Sequence, residues 1–407
     1  MSKPLVLTCD IGTQSARALL VDPDGRIVDV VQSKYAEPYF SKEPGWAEQK
    51  PNFYFDRLCE CCRELCARSN ALLPDVIAMT ITVIRDTVVC LDANNEPLRD
   101  IILWLDKRTV DPNGAMPAKN MMLFKVAGME PTAKVVYAAS VGNWIMRHEP
   151  EIWARTAKYV MLPTYLNYKL TGNLIDSASN QIGHIPFDYK NRRWMKPGSL
   201  TRCFCDVPNE KLCDLVPSGT VIGTITDEVC ALTGIPAGLP LISTGSDKGC
   251  ETLGLAVVDS DKASISLGTT ATIQFSTTEY VEPQQFLPAY PGVLNDHYNP
   301  EIEIYRGLWL LSWFVKEFGT ADAIDAKEKG IAPEALLDER IRELYGEESR
   351  RFTLVRTGKL LERVRKYNPE ARDLIQDFHV LWPIPQAIRD ANVGNFPQNP
   401  GYEGYEG

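Results

Sequence analysis

The stretch LVLTCDIGTQSARALLVDPDG, residues 5–25, decides the fold of this chain. Its apolar runs predict strands at residues 5–9 and 18–22, and Pro23-Asp24-Gly25 predicts a turn into a third strand at 27–32. A helical period at residues 53–69 follows, before further strands at 76–82 and 87–91. A strand meander followed by a helix and more strands predicts an α/β domain.

Asp10-Ile11-Gly12-Thr13 joins the first two of these strands. A carboxylate at a strand end can hold Mg²⁺, and a Gly-Thr turn lets backbone N–H groups and the hydroxyl approach phosphate oxygens. An ordinary hairpin turn is the alternative for this segment alone. Gly268-Thr269-Thr270 repeats the arrangement between predicted strands at 263–267 and 271–275. Two such hairpins facing across a cleft would grip a nucleoside triphosphate from both sides.

Length and composition bound the class of protein. A chain of 407 residues predicts at least two domains. The net charge of -10 argues against a nucleic-acid partner, because such partners require a clustered basic face. The start, MSKPLVLTCDIG, carries no signal-peptide pattern, and no run of 18 apolar residues occurs, so we expect a cytoplasmic protein without a membrane partner.

The eleven cysteines are interpreted as thiols, since their number is odd and their spacing irregular. Cys59, Cys62 and Cys66 follow helical spacing, which favours a buried helix face over a metal site. The histidines at 148, 184, 297 and 379 show no ligand spacing and are interpreted as incidental.

Asp247 follows Thr244-Gly245-Ser246 at a predicted strand end, just before a predicted helix at 248–256. In phosphoryl transfer the protein mainly supplies orientation, charge neutralisation and a base near the attacking hydroxyl. Asp247 fits that base. The alternative, and the commoner use of Asp at such a position, is a helix N-cap.

Two further segments combine donors, acceptors and an apolar face: Arg85-Asp86 and Trp104-Leu105-Asp106-Lys107-Arg108. A polyol requires this mixture, because carboxylates accept from its hydroxyls, arginine donates to them, and an indole packs on its C–H face. Surface ion pairs are the alternative interpretation.

Taken in order, DIGTQSARALL, GWAEQ, Arg85-Asp86, WLDKR, YKLTG with Asp176, STGSDKGCETLG and SLGTTATI resemble the FGGY carbohydrate kinases, over residues 4 to 338. The resemblance implies an actin-like, ribonuclease H-like α/β fold of two domains and transfer of the ATP γ-phosphate to a sugar or polyol hydroxyl. It implies Asp247 as catalytic base, which outweighs the cap interpretation.

The same resemblance implies the remaining site residues. The first ATP-phosphate loop would comprise Asp10, Gly12, Thr13, Gln14 and Arg17, with Asp10 next to Mg²⁺, and the second would comprise Gly268, Thr269 and Thr270. Substrate would contact Arg85, Asp86, Trp104, Asp106 and Asp247.

The expected domains are residues 1–246 for sugar binding and 247–337 for ATP binding. Because Arg85-Asp86 stands where xylulokinase-like members have Met-His, the sugar is left open among xylulose-, ribulose- and glycerol-like substrates. A homodimer is a further expectation.

From residue 338 the chain departs from the family, whose members continue with a Gly-rich segment that holds adenosine. Residues 338–407 instead resemble the mainly helical and irregular C-terminal end of SusD/RagB nutrient-uptake proteins. The resemblance rests on Arg356-Thr357-Gly358-Lys359, Pro383-Ile384-Pro385-Gln386 and Gln398-Asn399-Pro400-Gly401-Tyr402. We therefore expect an incomplete second kinase domain, joined near residue 338 by recombination or sequence assembly.

Three functions follow from these observations. A sugar kinase weakened by the incomplete second domain leads. A catalytically inactive sugar-binding module is the second, and a glycan-uptake component acting through the tail is the third.

Overall fold

The computed structural model describes residues 3–267, 270–304, 307, 360–367, 371–380 and 399. The chain divides into two compact units, one of residues 1–267 with 271–304 and the other of residues 268–270 with 305–407. The domain boundaries expected at residues 246 and 337 stay predictions. Nearly all of the described elements belong to the first unit.

The described strands, numbered in chain order, are β1 (Leu5–Ile11), β2 (Ser15–Val21), β3 (Ile27–Lys34), β4 (Glu48–Gln49), β5 (Val76–Val83), β6 (Val88–Leu91), β7 (Ile101–Ile102), β8 (Lys158–Met161), β9 (Ile175–Ser177), β10 (Phe187–Asp188), β11 (Arg193–Trp194), β12 (Asp214–Val216), β13 (Val221–Thr224), β14 (Pro240–Ile242), β15 (Ala263–Leu267), β16 (Ala271–Phe275), β17 (Tyr290–Pro291), β18 (Tyr298–Asn299) and β19 (Glu301–Ile304).

The described α-helices are α1 (Phe53–Arg68), α2 (Ala118–Val126), α3 (Glu130–Ala139), α4 (Val141–His148), α5 (Pro150–Arg155), α6 (Leu162–Thr171), α7 (Asp227–Thr233), α8 (Asp247–Gly254) and α9 (Leu360–Tyr367). Short 3-10 helices lie at Asn70–Asp75, Ala178–Asn180, Leu200–Phe204, Asn209–Lys211 and Asp377–Val380.

A six-stranded mixed sheet with the order β13-β14-β5-β1-β2-β3 forms the centre of the first unit. β1, β2 and β3 pair as an antiparallel meander, as their short connections require. β5 lies parallel to β1, and β14 lies parallel to β5. The carboxyl ends of β1, β5 and β14 therefore meet at one edge of the sheet.

Helix α1 packs against β2 and β3 and buries one side in the main core. The helix begins at Phe53, two residues after Pro51, and Asn52 precedes it without a side-chain capping bond. The prediction of a buried thiol face is confirmed, and all eleven cysteines are free. The buried residues of α1 are Tyr54, Phe55, Leu58, Cys59, Cys61, Cys62, Leu65 and Cys66.

The sheet β15-β16-β19 has the reverse of the usual polarity, because its polar side chains are buried and its apolar ones exposed. Gln274 and Glu301 are 3% and 4% exposed, whereas Ile273 and Ile302 are 43% and 57% exposed. The two isoleucines are direct cross-strand partners, and Ile265 faces Ile273 from the other side. A contiguous apolar row of this kind is typical of an interaction surface.

The predicted strands and helices of residues 5–91 and 240–275 are confirmed, with ends displaced by a few residues. Helices also dominate residues 118–171, as expected, although β8 interrupts them.

Two short pieces of the predicted tail are described, α9 and the 3-10 turn Asp377–Val380. The apolar residues 308–318, with two tryptophans, predict a buried helix, but they lie outside the described residues. The tail motifs at 356–359, 383–386 and 398–402 also lie outside them, apart from Asn399. Within the described ranges, no helix has the length and apolar character needed to cross a bilayer.

We predict that Leu58→Ala destabilises the first unit, because Leu58 is fully buried in α1 against the central sheet. Alanine is a good helix former, so the expected loss of about 2–5 kcal/mol in the free energy of unfolding reflects the cavity and the lost apolar burial. Urea unfolding followed by circular dichroism measures the change. The matched control is Leu123→Ala in α2, where the leucine is 49% exposed. Equal midpoints for both variants would contradict this packing.

Candidate active site

Three loops meet where β1, β5 and β14 end. They hold Gly12-Thr13-Gln14, Arg85-Asp86 and the residues leading to Asp247. The Thr82 hydroxyl at the end of β5 donates to the Gly245 carbonyl at 3.1 Å, which ties the second loop to the third. Neighbouring strands lie about 4.8 Å apart, so side chains from three adjacent strand ends reach a common ligand. Residues far apart in sequence are thus brought to one place.

Asp247 is the first residue of α8 and does not cap it. Ser246 is the N-cap, since its hydroxyl oxygen accepts from the Gly249 N–H at 3.3 Å. The N-cap interpretation of Asp247 is therefore wrong, because the residue before it already fills that position.

One oxygen of the Asp247 carboxylate has no hydrogen-bond partner among the described residues. Its Oδ1 atom is buried and accepts no hydrogen bond from any described residue. Burial raises the pKa of Asp247 above its ordinary value, and the positive charges of Arg85 and Lys248 oppose that rise. A carboxylate with a raised pKa and an unused oxygen is suited to accept a proton from a ligand hydroxyl.

Arg85 is engaged by Glu301 rather than by Asp247. The guanidinium makes two hydrogen bonds to the Glu301 carboxylate, one of them from Nη1 to Oε2 at 3.0 Å. The pair is largely buried, with side chains 14% and 3% exposed. Arg85 also lies over the Tyr290 ring, 5.4 Å from its centroid. Glu301 thereby balances a charge that would otherwise draw Asp247 into an ion pair.

A chain of buried polar groups connects Glu301 to the helix of Asp247. The Thr252 hydroxyl on α8 donates to Gln274 Oε1 at 2.6 Å, and Gln274 Nε2 donates in turn to Glu301. Sequence reasoning missed Glu301. The available signal was the alternation in β16 and β19, where Thr272, Gln274 and Glu301 share a face opposite isoleucines.

Asp86 is held by His184. Asp86 Oδ2 accepts from His184 Nδ1 at 2.9 Å, and Oδ1 accepts from the His184 backbone N–H at 3.1 Å. Asp86 has a left-handed φ of 48°, an unusual conformation that concentrates at functional sites. The interpretation of His184 as incidental is wrong, because a spacing argument cannot detect a pair 98 residues apart.

Trp104 lies against the first predicted phosphate loop. Its indole Nε1–H donates to the Thr13 hydroxyl at 3.0 Å, and its backbone N–H donates to the Thr87 hydroxyl at 3.3 Å. The Gly12 N–H donates to the Ser15 carbonyl at 3.0 Å and closes the turn. The predicted substrate contact and the predicted phosphate contact are therefore neighbours.

Asp10 and Arg17 face each other across β1 and β2, with Arg17 Nη1 donating to Asp10 Oδ2 at 2.7 Å. Both side chains are over a third exposed, so solvent weakens the pair. The exposed Gln14 accepts from the Tyr35 N–H through its backbone carbonyl at 2.9 Å.

Mg²⁺ fits this edge only if the protein supplies few of its ligands. Mg²⁺ commonly takes one or two carboxylates, with phosphates and water completing the shell. Asp10 supplies such a carboxylate, and no described residue donates to its Oδ1 atom in a hydrogen bond. The described residues contain no cluster of three or more metal-ligating side chains.

Asp106 is engaged by residues outside these three loops. Its buried oxygens accept from the Ala47 N–H at 2.6 Å and from the Arg108 backbone and guanidinium at 2.8 Å. Arg108 is held between the Trp46 and Trp144 rings, at 3.8 and 4.6 Å from their centroids. These contacts make Asp106 part of the scaffold, and its predicted contact with substrate stays a prediction.

Asp176 organises the loop behind α8. Burial raises its pKa to about 6 even though five groups donate to it. The Ser246 N–H donates to the Ser179 carbonyl of this loop at 3.2 Å, which fixes the start of α8. The donors to Asp176 are Thr164, Asn167, Ser177, Asn180 and Gln181.

Of the second predicted phosphate loop, Gly268 and Thr269 lie outside the described residues. Thr270 is described and belongs to the second unit. The role of all three residues in phosphate binding stays a prediction.

The central sheet, with a polar site at the ends of parallel strands, defines an actin-like fold of the sugar kinase class. Residues 5–254, more than half of the chain, match the N-terminal domain of the FGGY family of carbohydrate kinases. The chain therefore belongs to the FGGY family of carbohydrate kinases.

Individual relatives agree with this assignment. An uncharacterized sugar kinase, YgcE, from Escherichia coli is 26% identical over 84% of this chain and 62% of its own length. A ligand-bound xylulose kinase from Lactobacillus acidophilus superposes with a TM-score of 0.64 at 21% identity, covering 82% of this chain and 65% of that one.

A Plasmodium falciparum glycerol kinase with ADP superposes with a TM-score of 0.61 at 18% identity, covering 80% of this chain and 67% of that one. The chain spans less than two thirds of the length of the first two proteins. At these identities the superpositions establish the fold alone.

We predict that Glu301→Gln is strongly destabilising, because it leaves the Arg85 charge buried without a counter-charge. Breaking a buried pair on one side costs about 3–5 kcal/mol. Urea unfolding measures the loss against Glu228→Gln, which changes an exposed glutamate of α7. Indistinguishable unfolding midpoints would show that Glu301 does not hold Arg85.

Proposed function

We propose that this protein is an ATP-dependent kinase that transfers the γ-phosphate to a hydroxyl of an uncharged sugar or polyol. The observation that carries the proposal is that Oδ1 of Asp247 is buried and has no hydrogen-bond partner among the described residues. Asp247 is the first residue of α8 and lies beside the loop of Arg85. The proposal agrees with the family and with structural relatives that are named as xylulose and glycerol kinases.

Asp247 is proposed as the general base. The substrate hydroxyl gives its proton to the Asp247 carboxylate while its oxygen bonds to the γ-phosphorus. The bond between that phosphorus and the bridging oxygen of the β-phosphate breaks, and ADP leaves with the electron pair. The pKa of Asp247, raised by burial, keeps the carboxylate a stronger base than a solvent-exposed aspartate.

The phosphates are assigned to two loops. In the first loop the backbone N–H groups of Thr13 and Gln14, with Arg17, would bind them, and Gly12 would allow the backbone to approach closely. Residues 268–270 would form the second loop. Asp10 would hold Mg²⁺, which when bound supplies charge neutralisation at the phosphates.

The charges around Asp247 favour an uncharged substrate. Arg85 is paired with Glu301, His184 with Asp86, and Lys248 with Glu251 at 3.0 Å. Each of these basic side chains is balanced by a carboxylate, so the three pairs supply no net positive charge to neutralise the carboxylate of a sugar acid. Trp104 adds an indole face next to the first loop. A ketopentose or a small polyol fits this combination better than an aldonate.

Sugar binding without phosphoryl transfer is the alternative function. Arg85, Asp86, Trp104 and Asp247 all belong to the first unit, whereas residues 268–270 belong to the second. The sugar contacts therefore do not depend on the same part of the chain as the second phosphate loop. Weak or absent turnover is our expectation for this chain, and binding of sugar without affinity for ATP would identify the alternative.

The tail is a separate proposal. Residues 338–407 are proposed to derive from a SusD/RagB protein, and a role in glycan uptake would act through them. Sequencing of the source DNA across codons 320–360 tests this origin. An uninterrupted reading frame over the join supports a fusion, and a kinase sequence running on past codon 338 rejects it. Cytoplasmic location and homodimerisation stay predictions.

We predict that Asp247→Asn lowers kinase turnover by about 100-fold or more, because the amide cannot take the hydroxyl proton. A coupled ADP-release assay over ketoses, polyols and aldonates measures turnover of the wild type and the variant. Asp227→Asn is the matched control, since Asp227 is an exposed residue in the first turn of α7. Undiminished turnover by Asp247→Asn would remove the proposed base, and calorimetry with each sugar and with ATP would distinguish binding from catalysis.

A further inference from the structure

Both oxygens of the Asp86 carboxylate are engaged by one residue. Both of its oxygens accept from His184, one from the backbone N–H and one from Nδ1. No described residue contacts the remaining ring nitrogen, Nε2 of His184, although the imidazole is about one-third exposed (34%). Nε2 of His184 is therefore an unengaged polar atom on this side of the site, while Asp86 is the group that holds the imidazole.

The loop that carries His184 is fixed by close packing. The Tyr189 hydroxyl donates to the Gly183 carbonyl at 2.8 Å and accepts from the Gly183 N–H at 3.1 Å. A Cβ atom on Gly183 would lie 2.3 Å from Asp86 Oδ1, so only glycine allows this approach. The Asp86 N–H also donates to the Ile182 carbonyl at 3.0 Å. The imidazole is thus held in a defined orientation before any ligand arrives.

His184 and Arg85 border the same region. Tyr189, which binds the loop of His184, packs edge-on against Tyr290 with ring centroids 5.6 Å apart, and Arg85 lies over Tyr290. Arg85 is adjacent in sequence to Asp86 and close enough to Asp247 to affect its pKa. The Asp86–His184 pair and Arg85 therefore border the same aromatic side chains, and Asp247 lies within electrostatic reach of Arg85.

We propose that His184 contacts the substrate through Nε2–H, donating to a hydroxyl or carbonyl oxygen, and that Asp86 is a positioning residue for it. The inference rests on the proposed kinase function and names a contact that sequence reasoning assigned to Asp86. Nδ1–H donates to Asp86, which leaves Nε2–H of the imidazolium directed away from that carboxylate.

The charge state supports this donor role. Burial alone would lower the pKa of His184, but the Asp86 carboxylate outweighs burial and raises it. The pKa of Asp86 is lowered, because His184 and the Arg85 charge outweigh the effect of its own burial. Substrate affinity is then greatest below the His184 pKa and falls as the pH rises through it. The neighbouring titratable groups are Arg85, Tyr159, Tyr189, Cys205 and Tyr290.

The test uses the full chain and the neutral sugars and polyols that bind the wild type in calorimetry. His184→Gln is expected to raise the sugar dissociation constant about 10- to 100-fold, as expected for a lost charge-assisted hydrogen bond. ATP affinity is expected to be unchanged. His297→Gln is the control, because the ring of His297 makes no hydrogen bond that involves Asp86 or Asp247.

A second measurement needs no substitution at His184. Nitrogen-15 NMR of histidine-labelled wild type should show the His184 Nε2 resonance moving on sugar saturation while the His297 resonances stay in place. In Asp86→Asn the His184 pKa should fall, so that sugar affinity is lost at a lower pH than in the wild type. A structural role for the pair would not produce this shift of the pH profile.

The outcomes separate the two proposals. Failure of the wild type to bind any neutral sugar or polyol overturns the kinase function, and the His184 contact with it. Sugar binding by the wild type with an unmoved His184 resonance, or with unchanged affinity in His184→Gln, overturns the contact alone.

Discussion

The parallel pairing of β5 with β1 on one side and with β14 on the other is the constraint on which the site depends. It brings three loops, spread over more than 200 residues of sequence from Gly12 to Asp247, to a single edge of the sheet. Antiparallel pairing at either position would send one loop to the opposite edge. The Thr82 hydroxyl then fixes β5 to the loop of Gly245, so the positions of Arg85 and Asp247 are coupled through a side-chain-to-main-chain hydrogen bond.

Charge balance at that edge sets the chemistry. Glu301 binds the Arg85 guanidinium, and side-chain hydrogen bonds through Gln274 and Thr252 connect Glu301 to α8. The positive charge of Arg85 acts on Asp247, although the two side chains form no ion pair. The arrangement keeps a carboxylate oxygen unused in a buried place, which costs stability and is typical of functional rather than structural residues.

Local patterns predicted the elements well, because strand alternation and helical period are properties of neighbouring residues. The strands at Ala263–Leu267 and Ala271–Phe275 and the thiol face of α1 are examples. Such local patterns could not predict contacts between residues that are far apart in the sequence. Glu301 pairs with Arg85 and His184 pairs with Asp86, at separations of 216 and 98 residues. Asp106 is engaged by Arg108, although its motif suggested a ligand contact.

The central claim is that Asp247 is buried, unpaired and therefore more basic than an ordinary aspartate. Carbon-13 NMR titration of the side-chain carboxyl, assigned by comparison with Asp247→Asn, tests it directly. We predict an apparent pKa for Asp247 above the ordinary value of 3.8. A pKa below 3.8 would show that Arg85 or Lys248 pairs with Asp247 in solution, and would contradict its role as the base.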